Sequence, residues 1–522
     1  MTWQNSAITI TTLLPIVGAL GILLVPRGDD RLVKGIGIAI TGACLALAIA
    51  IAATYDYSAP ACAAPPCLQF VLNVAWIPVI GARYHVGIDG ISMPLYVLTF
   101  LLGFLCAVYT GRYVPEPGRI KAFVALTLLL ITGMAGTFVA FDLILFFVFW
   151  ELVLVPMYFL IGVWGSANRQ YASIKFFLYT LLGSVFMLLG FLALYFSGPV
   201  DALGKHTFDL TALTAFGAGG GYTHLFQLVV FGAIGLGFAV KVPMWPFHTW
   251  LPDAHTEAPT IGSVLLAGVM LKMGTYGFVR IALPVLPQGA VAYAPWIGGL
   301  AAIAIVYAAL ACLAQKDLKR LIAFSSVGHM GFVMLGIATL TTIGIQAAIF
   351  GMVAHGLITG MLFFCVGSIY DRYHTRQIAD IGGGMAEIMP KLSGIFAFVA
   401  IASLGLPGLA GFWGEVMALL GSFSPNTSTV AGLNVGLFRA FMIAGGIGTI
   451  LTAGYFLWML QRVNMGLAPE RWKDNGFQDI LTVEWVSWVP LLVLILVLGL
   501  IPSIVLNSTE QGVNLIVRIF GG

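Results

Sequence analysis

The stretch Gly237-Phe238-Ala239-Val240-Lys241-Val242-Pro243-Met244-Trp245-Pro246 decides how this chain is read. It closes an apolar run over 224–247 that is long enough to cross a bilayer. Into that run it sets a lysine and two prolines. A charge near the centre of a membrane helix costs roughly 2.5–3.5 kcal/mol even on the mild insertion scale. Proline removes a backbone donor and clashes with the preceding turn, so the helix is predicted to break at this point. The same device recurs at Gly405-Leu406-Pro407-Gly408, followed by Gly411-Phe412-Trp413-Gly414-Glu415. Broken helices with a charge at the break point to a membrane protein that moves ions.

Composition agrees. The chain has 522 residues, 60% hydrophobic and 9% charged, where a soluble domain carries about 25% charged residues. Apolar runs predict about fourteen crossings, at 5–26, 33–54, 89–110, 118–139, 141–163, 171–197, 224–247, 259–283, 294–314, 320–338, 342–369, 391–421, 434–462 and 484–506. The expected fold is therefore an all-α polytopic membrane protein. The two breaks fall in the seventh and twelfth runs, five apart, which predicts inverted five-helix repeats. The chain then divides into helices one to three (1–117), a first repeat (118–283), a second repeat (284–462) and a C-terminal loop with helix fourteen (463–522).

Most of the 24 lysines and arginines collect in one set of alternate loops, from Arg27, Arg31 and Lys34 through Lys316, Lys319 and Arg320 to Arg471 and Lys473. Arg83, Lys205, Arg280, Arg439 and Arg518 fall in the other set. The positive-inside rule makes the first set cytoplasmic and puts both termini opposite. The net charge of +3 says nothing about nucleic acid. The six cysteines form no CxxC pair or four-cysteine cluster, which leaves iron–sulfur, zinc and c-type haem sites unsupported. Cys62 and Cys67 stand close enough to pair if their loop faces an oxidising side. The run Ala7 to Val25 lacks a basic leader and reads as a retained first span.

Four ionisable residues lie inside apolar runs: Glu151, Lys241, Lys272 and Glu415. An ordinary lysine titrates near 10.4, burial lowers that value and a carboxylate raises it. A lysine whose carboxylate partner approaches and retreats can thus load and release a proton. Glu151 has no basic neighbour in sequence, so Lys241 is its expected partner. Lys272 is the deepest basic residue, and Glu415 would exchange its proton with water at the far side. Snorkelling for Lys241, a neutral hydrogen-bonded acid for Glu151, a packing contact for Lys272 and a half-helix end for Glu415 are the structural alternatives. His329 and His355, inside the tenth and eleventh runs, suit a proton shuttle as well as ordinary interhelical hydrogen bonds. The segment 247–259 holds His248, Asp253, His255 and Glu257 but no helical histidine pair, and it reads as a rigid capped turn better than as a metal site.

At these residues a family becomes recognisable. The run from Lys241 through Trp245-Pro246-Phe247-His248 to Glu257-Ala258-Pro259 resembles the signature of the antiporter-like subunits of respiratory complex I. So do Asp317-Leu318-Lys319-Arg320 through His329 and Gly405 through Glu415, and the resemblance covers almost the whole chain. Within the family, glutamate rather than lysine after the second break, with a short C-terminus, marks one paralogue. The resemblance implies a proton-translocating membrane-arm subunit of NADH:quinone oxidoreductase. Glu151 and Lys241 would be its coupling pair and Lys272 its central relay. His329 and His355 would line the hydrated axis, and Glu415 would deliver the proton. It implies no cofactor on this chain and neighbouring antiporter-like subunits as partners. The charged loops between fourteen spans, with no import leader, point to a bacterial plasma membrane more than a mitochondrial inner membrane. The alternative is a subunit of a multi-subunit sodium/proton antiporter.

Overall fold

Short polar side chains set where several spans begin. Asp142 accepts from the amides of Ile144 (2.9 Å) and Leu145 (3.1 Å), and Asp317 accepts from those of Lys319 (2.8 Å) and Arg320 (3.0 Å). Thr341 and Asn434 cap the spans that follow them. Each satisfies amides that have no intrahelical acceptor, where little water would replace it. The structure is a computed structural model that describes residues 3–26, 28–57, 66–200, 204–473 and 476–521.

Among the described residues, 13 helices are long and apolar enough to cross a membrane. They are Trp3–Leu24, Asp30–Thr54, Ser92–Thr110, Ile120–Val139, Leu143–Trp164, Arg169–Ser197, His224–Lys241, Thr260–Val285, Pro287–Leu313, Leu318–Ala338, Thr342–Tyr373, Val435–Val463 and Thr482–Leu500. The expected twelfth span consists of two shorter helices, Pro390–Ser403 and Ala410–Phe423, broken at the predicted Leu-Pro-Gly. The seventh span stops at Lys241, again at the predicted break.

Burial ranks the spans. The eighth, Thr260–Val285, is buried over 100% of its most apolar window and the eleventh, Thr342–Tyr373, over 94%, whereas the second and thirteenth reach 28%. The first two form the axis of the bundle, and the last two present most of their surface outward. Lys272 and His355 belong to the two axial spans. The eighth span also contains two π-helical turns, Leu266–Met270 and Phe278–Ala282, which bracket Lys272. Such turns in a membrane helix often accompany functional sites.

Several expectations need correction. The segment read as a capped turn contains a helix, Trp250–Glu257, which folds back into the bundle. Arg280, assigned to a loop, is buried in the eighth span against Asp89, with Nη2 2.6 Å from each carboxylate oxygen. Its Nε donates to Tyr276 Oη (3.1 Å), which donates to the Phe138 carbonyl (2.8 Å). Lys319, also assigned to a loop, is buried in the first turn of the tenth span and donates to the Ala258 carbonyl. Two elements were not foreseen: an antiparallel hairpin of β1 (Gln69–Ile77) and β2 (Ala82–Ile88), and an amphipathic helix, Ser503–Arg518, beyond the last span. That helix lies against the eleventh span, where Thr342 donates to Asn514 (3.1 Å). Cys67 is disulfide-bonded; Cys62 lies outside the described residues.

Candidate functional site

Two glycine contacts bring the site together. A Cβ on Gly356 would stand 2.7 Å from the Gly268 carbonyl, so the eighth and eleventh spans touch backbone to backbone beside Lys272 and His355. A Cβ on Gly414 would stand 2.8 Å from the Gly351 Cα, which presses the second half of the twelfth span onto the eleventh beside Glu415. Small residues allow this approach, and in a bilayer close packing replaces the hydrophobic drive between helices.

The side chains these contacts align form a file. Lys272, 0% exposed, donates from Nζ to the Ala267 carbonyl and lies 2.6 Å from His355 Nδ1. The His355 ring stands 5.7 Å from that of His329. His329 Nδ1 is 3.0 Å from Glu415 Oε1, and its Nε2 is 3.0 Å from Ser403 Oγ. A neutral ring that donates from Nδ1 accepts the serine hydroxyl at Nε2, and an imidazolium donates at both positions. Ser403 ends the first half of the twelfth span, so the helix break itself supplies one partner of His329.

Glu151 and Lys241 are arranged differently. Lys241 is 2% exposed, and its ammonium lies 5.1 Å from the Trp150 ring centroid. Trp150 is held in turn by its indole N–H donating to Ser184 Oγ (3.0 Å). Glu151 and Lys241 act on each other through space without a direct ion pair. Glu151 is half-buried at the bundle's edge, between the exposed Val148 and Val155. Among the described residues no hydrogen-bonded chain joins Lys241 to Lys272.

The 247–259 segment spends its acids on structure. Asp253 pairs with Lys175 (2.7 Å) and Arg320 (3.6 Å), and Glu257 accepts from the Asn168 amide (3.0 Å). His255 is wholly buried and stacks on Phe363 at 4.6 Å, and neither ring nitrogen finds a hydrogen-bond partner among the described residues. Lys319 and Lys272 are its charged neighbours. Sequence reasoning weighed His255 only as part of a metal site and left Lys319 in a loop. Lys319, the second residue of its helix, looks in sequence like any lysine at a membrane surface. Below it opens a cavity of about 450 Å³ lined by Arg112, Glu116, Asp371 and Arg376 among others.

On the hairpin side, His85 Nδ1 of β2 lies 2.7 Å from Asp209 Oδ2. Burial pushes the Asp209 carboxyl up, but hydrogen bonds from His85 and Thr211 outweigh it and hold the group below its ordinary value. Burial pushes the neighbouring Asp142 carboxyl up, and there the amides it caps do not fully offset the effect.

The chain and its fold are matched among known proteins. The family model described as NADH:quinone oxidoreductase/Mrp antiporter, TM, matches residues 140–442. NADH-quinone oxidoreductase subunit M of Rhodobacter capsulatus is 43% identical over 522 residues, 99% of this chain and 97% of that protein. A chain of respiratory complex I from Thermus thermophilus with bound NADH superposes with a TM-score of 0.84 at 27% identity, covering 99% of this chain and 100% of its own. A chain of the Mrp complex from Dietzia sp. DQ12-45-1b shares the fold, with a TM-score of 0.82 at 20% identity over 100% of both chains.

Proposed function

The chain belongs to the NADH:quinone oxidoreductase/Mrp antiporter family, and from that premise we propose that it is a proton-translocating membrane-arm subunit of a bacterial NADH:quinone oxidoreductase. The observation that carries the reading is the buried file from Lys272 through His355 and His329 to Glu415, whose members lie within hydrogen-bond or ring-contact reach. Titratable groups kept inside a bundle at such cost are the usual sign of a proton path. The antiporter alternative rests on a shared fold at 20% identity, whereas the 43% identity over nearly the whole chain is to an oxidoreductase subunit.

The roles follow from the surroundings. Glu151 reaches the bundle's edge, where a neighbouring antiporter-like subunit would present or withdraw a charge. Among the described residues Lys241 has no hydrogen-bonded partner, and its ammonium lies over Trp150. Its proton affinity therefore depends on the distant Glu151 carboxylate, and a change at Glu151 is felt at the lysine. Lys272 takes the proton onward, and Glu415 releases it at the second break. Moving one charge against 100 mV costs about 2.3 kcal/mol, the equivalent of less than two units of lysine pKa. The breaks at Lys241 and before Glu415 are corresponding positions of two inverted five-helix repeats, 118–283 and 284–462. The chain works without a redox group of its own; its sequence offers no CxxC pair or four-cysteine cluster to hold one. Electron transfer then belongs to partner subunits, and the lipid setting is the plasma membrane.

The test is NADH-driven proton uptake in inverted membrane vesicles, with assembly checked on a native gel. Glu151→Gln should assemble and lose pumping together with NADH oxidation. Pumping at the wild-type level in that variant removes Glu151 from the coupling, and sodium-dependent exchange without NADH oxidation supports the antiporter instead.

A further inference from the structure

The file toward Glu415 leaves a second line of polar side chains on the eighth span unexplained. Tyr276 stands four residues beyond Lys272 in the α-helical segment Leu271–Gly277, and so shares its helix face. Arg280 follows in the second π-helical turn, Phe278–Ala282. These three climb the axial span away from the cytoplasmic side, and all are buried. Beyond Arg280 comes Asp89, buried just before the start of the third span. Such a ladder would offer a proton on Lys272 a second way out, one that bypasses His355, His329 and Glu415.

The groups on the ladder close it. Arg280 Nη2 is 2.6 Å from each Asp89 oxygen, and its Nε donates to Tyr276 Oη (3.1 Å). The tyrosine spends its own proton on the Phe138 carbonyl (2.8 Å). Asp89 also accepts from the amides of Ile91 (3.1 Å) and Ser92 (3.0 Å) and from Ser92 Oγ (3.0 Å). The rings of Phe141 and Tyr276 wall the guanidinium at 5.2 and 5.4 Å. The amphipathic helix Ser503–Arg518 covers the far end. Its Ser508 carbonyl lies where a Cβ on Gly90 would stand, and a Cβ on Gly512 would be 3.7 Å from Asp89 Oδ2. The same helix borders a polar cavity of about 280 Å³ lined by Asn507, Glu510, Gln511, Asn514 and Arg518 among others. Room for water on the outer side thus reaches the helix that covers Asp89.

We propose that the Arg280–Asp89 pair is an electrostatic plug, which closes the outer end of the eighth span to protons and leaves Glu415 as the exit for what Lys272 carries. This rests on the proton-translocating reading above. The order of the two charges matters. A proton moving outward from Lys272 meets the guanidinium first, by way of Tyr276, and arginine stays charged at any pH the protein meets. A fixed positive charge in a low-dielectric passage repels a second cation, the barrier by which some transporters exclude protons. A proton from the outer side reaches Asp89 and stops, since the guanidinium beyond it takes none. Asp89 balances the guanidinium at Nη2, away from the Nε that faces Tyr276. Stability offers no rival reason for the pair, because replacing a buried ion pair by well-packed apolar side chains is often neutral or stabilising.

The test uses the assembled complex in inverted vesicles, which hold the outer side in their lumen. Asp89→Asn combined with Arg280→Gln keeps the shape of the pair and removes both charges. This double variant should assemble and oxidise NADH at the wild-type rate or faster. Net proton uptake per NADH should fall about tenfold, because losing one fixed charge lowers the barrier to leak by at least that factor. Once NADH is spent, the pH gradient should collapse faster than in wild-type vesicles. Arg280→Lys keeps a cation beside Asp89 and should stay coupled. Adding Lys272→Ala to the double variant should slow the collapse to the wild-type rate, since the leak runs through Lys272. Full coupling in the double variant overturns the plug, and so does joint loss of oxidation and pumping in an assembled complex. A leak that persists with Lys272→Ala, or an equal leak in Arg280→Lys, marks a packing role and overturns it too. Lys272→Ala alone separates the two readings. If it pumps fully, the relay reading itself has failed, whereas a dead Lys272→Ala beside a tightly coupled double variant rejects only the plug. A high-resolution density map of the wild-type complex decides without any variant, should the double variant not assemble. A dry gap between the outer cavity and Tyr276 supports the plug, and ordered waters running past Asp89 to Tyr276 overturn it.

Discussion

The two broken spans hold their charges in opposite ways. At the seventh, Lys241 faces an indole ring and meets its carboxylate partner only through space. At the twelfth, Glu415 is hydrogen-bonded to His329, and His329 is bonded again to Ser403 at the break. The first arrangement responds strongly to a distant charge, because nothing local fixes its electrostatics and the medium screens little. The second has local hydrogen-bond partners and suits conduction, because each neighbour is already within reach of a proton. On the proposed reading one end of the molecule senses and the other carries.

Replacements along this contrast should have graded effects. Lys272→Ala cuts the file at its most buried point and should reduce NADH-driven pumping at least about a hundredfold, since two charge-assisted contacts of ~1.5–3 kcal/mol each disappear. Retained pumping in that variant would erase the distinction between the two ends. Lys241→Arg comes next. Arginine keeps the charge and the contact with Trp150 but does not deprotonate. It should assemble normally and lose pumping by about tenfold or more, the worth of one pKa unit or more, as measured by proton uptake against complex content. If Lys241→Arg pumps well, Lys241 is a fixed charge and not a proton carrier. Glu415→Gln preserves a hydrogen bond to His329 and removes the acceptor, with an expected fall of about tenfold, again one unit's worth. It should spare the response of Lys241 to Glu151 in a rapid-mixing assay.

The smallest effect is on stability. Asp209 sits outside the spans with its carboxyl held below the ordinary value. The sign follows from that direction. Its contribution is complete above the unfolded value near pH 4 and is lost as pH falls through the lower folded value. Asp209→Asn should lower the stability of the detergent-solubilised complex at pH 7 by about 1 kcal/mol, read as a small drop in thermal midpoint. The difference from wild type should vanish in acid. A constant difference down to pH 3 would assign the effect to packing.

Much of the fold was legible because a bilayer leaves few choices. Each span must satisfy its own backbone, so runs of apolar residues name the helices, and proline with glycine names the breaks. The hairpin escaped notice because span counting by hydropathy passes over Gln69–Ile77 as a loop. The helix Trp250–Glu257 was hidden by the prolines around it. Arg280 was misplaced because its partner, Asp89, lies 191 residues away and nothing near it in sequence offers neutralisation. The same limit applies to the site. Glu151, Lys241, Lys272 and Glu415 stand out in a linear reading as charges in apolar runs. His255 and Lys319 do not, since a histidine in a polar segment and a lysine at the start of a helix are ordinary in any sequence.

The sequence by itself determined that this is a bundle of about fourteen membrane helices with two breaks and buried charges, because hydropathy and backbone chemistry act locally. Only the tertiary structure decided which charges meet. Lys272 reaches His355 across 83 residues and His329 reaches Glu415 across 86, through glycine contacts whose closeness depends on both partners. The path of a proton is a property of distances near 3 Å, and those exist only once the helices have packed.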